Sequence, residues 1–153
     1  MIHILVAGEE HAPGITMLEE QIFPDPWHFN SIEGSIGRDH ITTLVATEEG
    51  SVVGYLIYYH ILNEGEIARV AVAPRYRRQN VGRMLIRTMI ERGPLENLTE
   101  YSLEVRESNL PARALYESFG FLEEGRRKAY YKEPAEDGLI MWLREVSEFL
   151  ESE

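Results

Sequence analysis

The sequence contains no cysteine among its 153 residues. This absence excludes a disulfide framework, a thiolate metal site and a cysteine nucleophile. Histidine is scarce too, and the five histidines are scattered: His3, His11, His28, His40 and His60. No pair of them has the spacing of metal ligands. We therefore expect no metal site, and we expect each histidine to lie at the surface or at the edge of the core.

Long apolar runs and an excess of basic residues are also missing. No stretch approaches the roughly 18 apolar residues of a membrane span, and the start, MIHILVAGEE, lacks the basic region and the length of a signal peptide. The net charge of −11 at pH 7 opposes binding to nucleic acid or to an anionic membrane. We expect a cytoplasmic protein with no direct nucleic-acid or membrane partner, and a cationic partner is favoured.

What is present is an ordinary globular composition, with 44% hydrophobic and 27% charged residues. A length of 153 residues suits one domain. The sequence shows no internal repeat, low-complexity tract or linker that would divide it. We therefore expect a single domain over residues 1–153.

The order of the predicted elements indicates an α/β (α+β) fold. Strands are predicted at residues 2–6, 41–47, 51–61, 66–73, 101–106, 121–131 and 139–143, and helices at 14–23, 26–36, 80–92 and 110–118. The acidic segment 144–153 is predicted to form a short solvated helix. Several strands come first and strand–helix alternation follows, so we expect a mixed sheet with helices on its faces.

The stretch RRQNVGRM, residues 77–84, joins a predicted strand to the predicted helix 80–92. A helix N-terminus offers backbone N–H groups and a favourable dipole to a phosphate. Gly82 leaves room on the first turn, and Asn80 tolerates left-handed geometry better than most residues. Three arginines could neutralise phosphate charge: Arg77, Arg78 and Arg83. Taken alone, the stretch favours a basic helix-capping turn, because it is neither GxxxxGK[ST] nor GxGxxG.

The stretch YSLEVRESNLPARALYESFGF, residues 101–121, carries two further candidates. Strand alternation places Glu104 in mid-strand, on the face opposite the apolar residues of the same strand. A carboxylate there is a candidate general base, although the strand alone favours a solvent-facing glutamate. Tyr116 follows among apolar residues of the next predicted helix, where a core tyrosine is the commoner interpretation.

Together, ARVAVAPRYRRQNVGRMLI (residues 68–86) and LEVRESNLPARALYESFGF (residues 103–121) resemble the core of the GCN5-related N-acetyltransferases, the GNAT superfamily. The resemblance spans about residues 64–143, and PDPW at 24–27 and GRRKAYY at 125–131 fit it. Within the superfamily the sequence is most similar to the RimI-type bacterial enzymes, which acetylate the N-terminal alanine of a small-subunit ribosomal protein. The resemblance implies a GNAT fold, with a mostly antiparallel sheet of six to seven strands splayed into a V and helices on both faces.

The resemblance also implies the cosubstrate and its contacts. In this family the pattern [RQ]-x-x-G-x-[GA] holds the pyrophosphate of acetyl-CoA, and it falls here on residues 77–82. Asn80 stands where the family usually has glycine, and we expect a tighter turn that still works, because the donors are main-chain groups. The implied acetyl-CoA contacts are Val70, Ala71, Val72, Arg77, Arg78, Gln79, Asn80, Val81, Gly82, Arg83 and Asn109.

The chemistry of acetyl transfer fits the two candidates of the second stretch. The resemblance assigns the general base to Glu104 and the general acid to Tyr116. An ammonium has no lone pair, so a carboxylate must take its proton before the amine attacks the thioester. A backbone N–H near Val70–Val72 could stabilise the oxyanion, and a phenol could protonate the leaving thiolate. The reaction requires neither a metal nor a covalent enzyme intermediate.

The acceptor is less well defined by the sequence. The resemblance implies that Trp27, Tyr130 and Tyr131 wall the acceptor slot, although each could equally be a packing residue. Arg69 stands where RimI-type sequences usually have asparagine. Its side chain is expected either to enter the acceptor slot or, as the favoured alternative, to pair with one of the 26 acidic residues. The basic run 126–128 is predicted to be a solvated strand end or turn.

Three functions remain open at this point. The favoured one is acetylation of a protein N-terminal α-amine. The second is acetylation of a small amine, such as a polyamine, an amino acid or an aminoglycoside. The third is a non-catalytic acyl-CoA-binding sensor, for which the presence of both Glu104 and Tyr116 has no chemical reason.

Overall fold

The computed structural model describes residues 1–132, 134–144 and 146. In this part of the chain the strands form one sheet in the order β1-β2-β3-β4-β5-β7-β6. Their bounds are β1 (Ile2–Val6), β2 (Ile41–Glu48), β3 (Ser51–Ile61), β4 (Glu64–Val72), β5 (Glu100–Arg106), β6 (Leu122–Lys132) and β7 (Ala135–Leu143). Only β4 and β5 pair in parallel. The expected mixed, mostly antiparallel sheet is confirmed.

The α-helices are α1 (Ala12–Ile22), α2 (Phe29–Gly34), α3 (Val81–Glu91), α4 (Gly93–Glu96) and α5 (Leu110–Ser118). The prediction for residues 26–36 was too long, because His28 is extended and the helix begins only at Phe29. The Gly93-Pro94 pair follows the end of α3 and opens α4, where proline fits the first turn. The predicted helix over 144–153 lies almost wholly outside the described residues. No helix in the described part of the chain is both long and apolar enough to cross a membrane.

The helices cover both faces of the sheet, as the alternation of elements predicted. On one face, α3 and α5 pack against a large core, to which α3 contributes Val81, Leu85, Ile86, Met89 and Ile90. On the other face, α1 and α2 enclose a smaller core around Ile15, Ile32 and Ile57. Burying each such aliphatic side chain contributes about 1.5–3 kcal/mol. The sheet therefore lies between two apolar layers.

The sheet opens between β4 and β5. These strands pair at only three positions, Glu64 with Glu100, Gly65 with Tyr101 and Glu66 with Ser102. Beyond them β4 continues to pair with β3, and β5 pairs with β7. The splayed V that the resemblance implied is therefore present, and it leaves one edge of β4 without a neighbouring strand in the described residues.

Two β-bulges shape the walls of this opening. In β4, Ile67 pairs with Tyr58 and Arg69 pairs with Ile57, so Ala68 is an extra residue. In β6, the pairing jumps from Arg127–Gly138 to Tyr131–Glu136. Residues 128–130 therefore oppose a single residue of β7. Bulges of this kind re-aim the side chains beside them.

Candidate active site

A cavity of about 600 Å³ occupies the opening of the V. We call it the cleft cavity. Its walls come from β3, β4, β5, β6 and β7 and from the segment between α1 and α2. They include all but one of the predicted catalytic and acceptor residues, namely Trp27, Arg69, Glu104, Tyr130 and Tyr131. Residues from four distant positions in the sequence are thus brought to one place.

Glu104 lies in the middle of β5, opposite Ile140 of β7. Its carboxylate faces the cleft cavity and its side chain is 29% exposed. Arg127 Nε donates a hydrogen bond to Glu104 Oε1 at 2.8 Å. The carboxylate also raises the pKa of the Tyr130 hydroxyl, through a hydrogen bond and through its charge. The candidate base is therefore accessible from the cavity and already has a cationic neighbour.

Arg69 is anchored by a carboxylate buried under the cavity wall. Glu19 on α1 is fully buried and accepts from Arg69 Nε at 3.0 Å and Nη2 at 2.9 Å. The hydroxyl of Tyr55 and the backbone N–H of Trp27 donate to the same carboxylate. Arg69 also packs over the Phe23 ring, 3.8 Å from its centroid. The expected pairing with an acidic residue is observed, and Arg69 lines the cavity as well.

The tyrosines lie at two depths. Tyr130 and Tyr131 meet edge to face at the cavity wall, with ring centroids 5.1 Å apart. Burial and the neighbouring Glu104 raise the pKa of Tyr131 to about 12. Tyr116 lies deeper, in the large core, with its ring 5.8 Å from that of Phe121. Burial, and to a smaller extent Tyr131, raises the pKa of Tyr116, so this phenol keeps its proton at neutral pH.

The loop before α3 has the backbone geometry that the sequence predicted for Asn80. Asn80 is left-handed, with φ 63° and ψ 20°, and its side chain makes no capping hydrogen bond. Arg78 is left-handed too, with φ 72°. The first N–H groups of a helix have no partner within it. The N-terminus of α3 therefore presents backbone donors that no side chain of Asn80 covers.

Other predicted acetyl-CoA residues have partners within the protein. Arg77 Nε donates to the carbonyl of Val72 at 3.2 Å, and Arg83 Nη1 donates to Ser118 Oγ at 2.7 Å. Asn109 Oδ1 accepts from the backbone N–H of Ala112 and so caps α5. Arg78 is exposed.

Gly82 allows a close approach between two helices. A Cβ at this position would lie 3.1 Å from Leu115 Cδ2, which is tighter than an ordinary contact. The glycine thus lets the first turn of α3 lie against α5. The interpretation that Gly82 also leaves room for a ligand on the first turn stays a prediction.

Sequence reasoning missed four polar residues of the cavity: Glu64, Glu66, Ser102 and Arg127. Ser102 Oγ donates to Glu64 Oε2 at 2.5 Å. Burial, followed by the charges of Glu64 and Glu104, raises the pKa of Glu66. One sequence pattern could have indicated them: Glu64 and Glu66 alternate at the start of a strand, and this spacing brings their two carboxylates to the same side of the sheet.

A second cavity of about 400 Å³ lies away from the V, beside β2 and α4. Glu96 is its most buried charged group and accepts hydrogen bonds from Tyr58 and Thr42, each at 2.5 Å. Arg92 and His60 lie 3.5 Å from the same carboxylate. Because these donors satisfy Glu96, the cluster is a structural polar network. No group of three His, Asp or Glu side chains in the described residues is arranged to hold a metal ion.

Comparison with known proteins identifies the family. Residues 12–121 match the model of the acetyltransferase (GNAT) family. The [ribosomal protein bS18]-alanine N-acetyltransferase of Escherichia coli (strain K12) is 32% identical over 133 residues, covering 86% of this chain and 89% of that protein. A Bacillus subtilis (strain 168) protein that carries the same name provisionally is 35% identical over 127 residues, covering 82% of this chain and 84% of its own length.

Solved structures agree with the sequence relatives. The crystal structure of the ribosomal-protein-S18-alanine N-acetyltransferase from Escherichia coli superposes with a TM-score of 0.85 at 31% identity, covering 94% of this chain and 93% of the other. The fold, the family model and the relatives all agree with the resemblance seen in the sequence. The chain therefore belongs to the GNAT acetyltransferase family and is an N-acetyltransferase, and enzymes of this family take the acetyl group from acetyl-CoA.

Proposed function

We propose that this chain is a single cytoplasmic N-acetyltransferase domain that acetylates the N-terminal α-amine of a protein, with a ribosomal protein as the favoured acceptor. The names of its relatives support this choice of acceptor. The observation that carries it is the cleft cavity, which is large enough for a chain terminus and has Glu104 in its wall. The net charge of −11 supports a basic protein partner.

The amine side of the proposed reaction depends on Glu104. The acceptor enters as an ammonium, and Glu104 takes one proton from it, so the nitrogen gains a free lone pair. The amine then attacks the thioester carbonyl directly. Trp27, Tyr130 and Tyr131 enclose the acceptor, and Arg69 holds the Trp27 segment in place through Glu19.

The residues at the start of α3 and along the open edge of β4 fit acetyl-CoA, which supplies the thioester. Asn80 is left-handed, and its side chain makes no capping hydrogen bond. The backbone N–H groups of Val81, Gly82 and Arg83, at the start of α3, therefore have no side-chain cap. Such a terminus suits a pyrophosphate. The unpaired edge of β4, which includes Val70, Ala71 and Val72, suits an extended amide-containing arm. A backbone N–H of this edge is the proposed oxyanion donor.

The remaining proposed contacts surround the loop and α5. Arg77, Arg78 and Gln79 lie in the loop, and Asn109 lies at the N-cap of α5. Tyr116 is the proposed general acid, which gives its proton to the leaving sulfur. Its burial next to Tyr131 keeps it protonated until then.

A small cationic amine is the second candidate acceptor, and one observation favours it. Three carboxylates line the cleft cavity, Glu64, Glu66 and Glu104. A polyamine would satisfy more of them than a single α-ammonium. The proposal for a protein acceptor therefore needs a direct comparison of substrates.

The experiment measures acetyl-CoA turnover with N-terminal peptides, polyamines and free amino acids. We expect the largest kcat/KM with peptides that have a free N-terminal alanine, and no turnover when the same peptide is N-acetylated beforehand. Turnover confined to small amines would overturn the protein acceptor. Binding of CoA without turnover of any acceptor would instead indicate a sensor.

A further inference from the structure

The ion pair between Arg127 and Glu104 lies at the position that the proposed reaction needs to keep free. Arg127 Nε contacts Glu104 Oε1 at 2.8 Å, and both residues line the cleft cavity. A base must accept a proton from the incoming ammonium, and the guanidinium already holds one oxygen of that base. Arg127 and an acceptor ammonium therefore compete for the same carboxylate.

The charges around Glu104 show which cation is replaceable. Its charged and titratable neighbours are Glu64 and Glu66 on β4 and Arg127, Tyr130 and Tyr131 on β6. Arg69 also lines the cavity, but its Nε and Nη2 are committed to Glu19. Among the described residues that line the cavity, Arg127 is thus the cation that no buried partner holds; it pairs with Glu104, and its charge also acts on Glu66. An entering ammonium can take its place without leaving the cavity more negative.

The two arginines of the cavity differ in how firmly they are held. The Arg69 side chain is 20% exposed and its carboxylate partner is fully buried, whereas the Arg127 side chain is 55% exposed. Arg127 also lies at the start of the β6 bulge, where ladder pairing to β7 is interrupted. Exposed ion pairs are weak, at about 0.2–1 kcal/mol, which corresponds to about 1.4- to 5-fold in an equilibrium constant. The guanidinium also lies 5.5 Å from the centroid of the Tyr130 ring, which is a weak contact at an exposed site. Arg127 can therefore move out of the cavity by giving up two weak contacts.

We propose that Arg127 is a placeholder cation: it occupies Glu104 while the cavity is empty, and the ammonium of the acceptor displaces it. This inference rests on the proposed role of Glu104 as the base. The displaced guanidinium moves to solvent, and the carboxylate is left in contact with the proton that it will accept. Arg127 thus holds the base in position and weakens acceptor binding at the same time.

The test is Arg127→Gln, which removes the charge and keeps a polar side chain. We expect KM for a short peptide with a free N-terminal alanine to fall about two- to five-fold, with kcat changed by less than about two-fold. Arg127→Lys should restore the higher KM. Lys128→Gln is the matched control, because it removes the same charge from an exposed neighbouring residue, and it should leave KM unchanged. A higher or unchanged KM in Arg127→Gln would overturn the proposal, since Arg127 would then bind the acceptor or not compete with it.

Binding measured without turnover separates this inference from the proposed function. Calorimetry follows the same peptide binding to the CoA-loaded protein, in the wild type and in Arg127→Gln. Tighter binding in the variant, with no turnover of that peptide by the wild type, would support the displacement of Arg127 and reject the peptide as the acceptor. The gain should disappear when Glu104→Gln is also present, because a neutral partner leaves nothing to compete for. A gain that persists in that background, or no peptide binding by any variant, would overturn the placeholder.

Discussion

The two sides of the V are built from different parts of the polypeptide. On the amine side, the cleft cavity is lined by side chains, and most of its polar groups come from β4, β5 and β6. On the other side, the features that fit acetyl-CoA are main-chain groups, at the open edge of β4 and at the start of α3. The difference implies that a single side-chain replacement can remove chemistry from the first side. The second side should depend mainly on the backbone conformation, with Tyr116 and the loop side chains as its proposed side-chain contributions.

The sharpest test of this contrast is Glu104→Gln on the amine side. The variant cannot accept the ammonium proton, so kcat/KM near neutral pH should fall about 10²- to 10⁴-fold. The loss should be smaller at high pH, where the acceptor amine is already neutral. A pH–rate profile of the variant and the wild type measures both.

Glu107→Gln is the control for this substitution, because it removes the same charge from a residue that pairs with Arg126 outside the cavity. It should retain nearly all activity. A loss in Glu104→Gln that is the same at every pH would show that Glu104 is not the base.

Glu19→Ala should have the next largest effect. It should lower the stability of the fold rather than remove a group that takes part in the reaction. The carboxylate is fully buried and holds Arg69, Tyr55 and the Trp27 backbone. Removing one partner of a buried ion pair leaves the other uncompensated, which costs about 3–5 kcal/mol of unfolding free energy. Denaturant or thermal unfolding measures the change.

Glu124→Ala provides the comparison, because Glu124 forms an exposed ion pair with Arg144. That substitution should lower stability far less than Glu19→Ala. Equal losses would show that the buried network does not support the amine-side wall.

Asn80→Ala and Asn80→Gly should have the smallest effects, and they probe the acetyl-CoA side. Asn80 has φ 63°, a conformation that costs alanine about 1–2 kcal/mol and that glycine adopts freely. We expect Asn80→Gly to leave KM for acetyl-CoA within about two-fold, and Asn80→Ala to raise it by up to about tenfold because the loop relaxes. Similar increases in both variants would indicate that the Asn80 side chain itself contributes, against the main-chain interpretation.

The same difference explains what the sequence could predict. The order of the elements and a left-handed Asn80 follow from patterns within short segments, whereas the V was implied by the family resemblance, and each is observed. The partner of Arg69 lies 50 residues away on α1, and nothing local indicates Glu19. The contact of Arg127 with Glu104 joins two strands that β7 separates in the sheet, and nothing local in the sequence indicates it. The amine side is therefore a product of tertiary packing.

The β6 bulge has a consequence for how this enzyme can diversify. Residues 128–130 oppose the single residue Asp137, whose Oδ1 accepts the N–H of Ala129 at 2.9 Å and closes the extra loop of chain. A change of length within this short arm would re-aim Arg127, Tyr130 and Tyr131 while the pairing of β5 with β7 stays intact. If these residues contact the acceptor as proposed, acceptor preference can evolve by insertion and deletion in one hairpin arm while the rest of the sheet is unchanged.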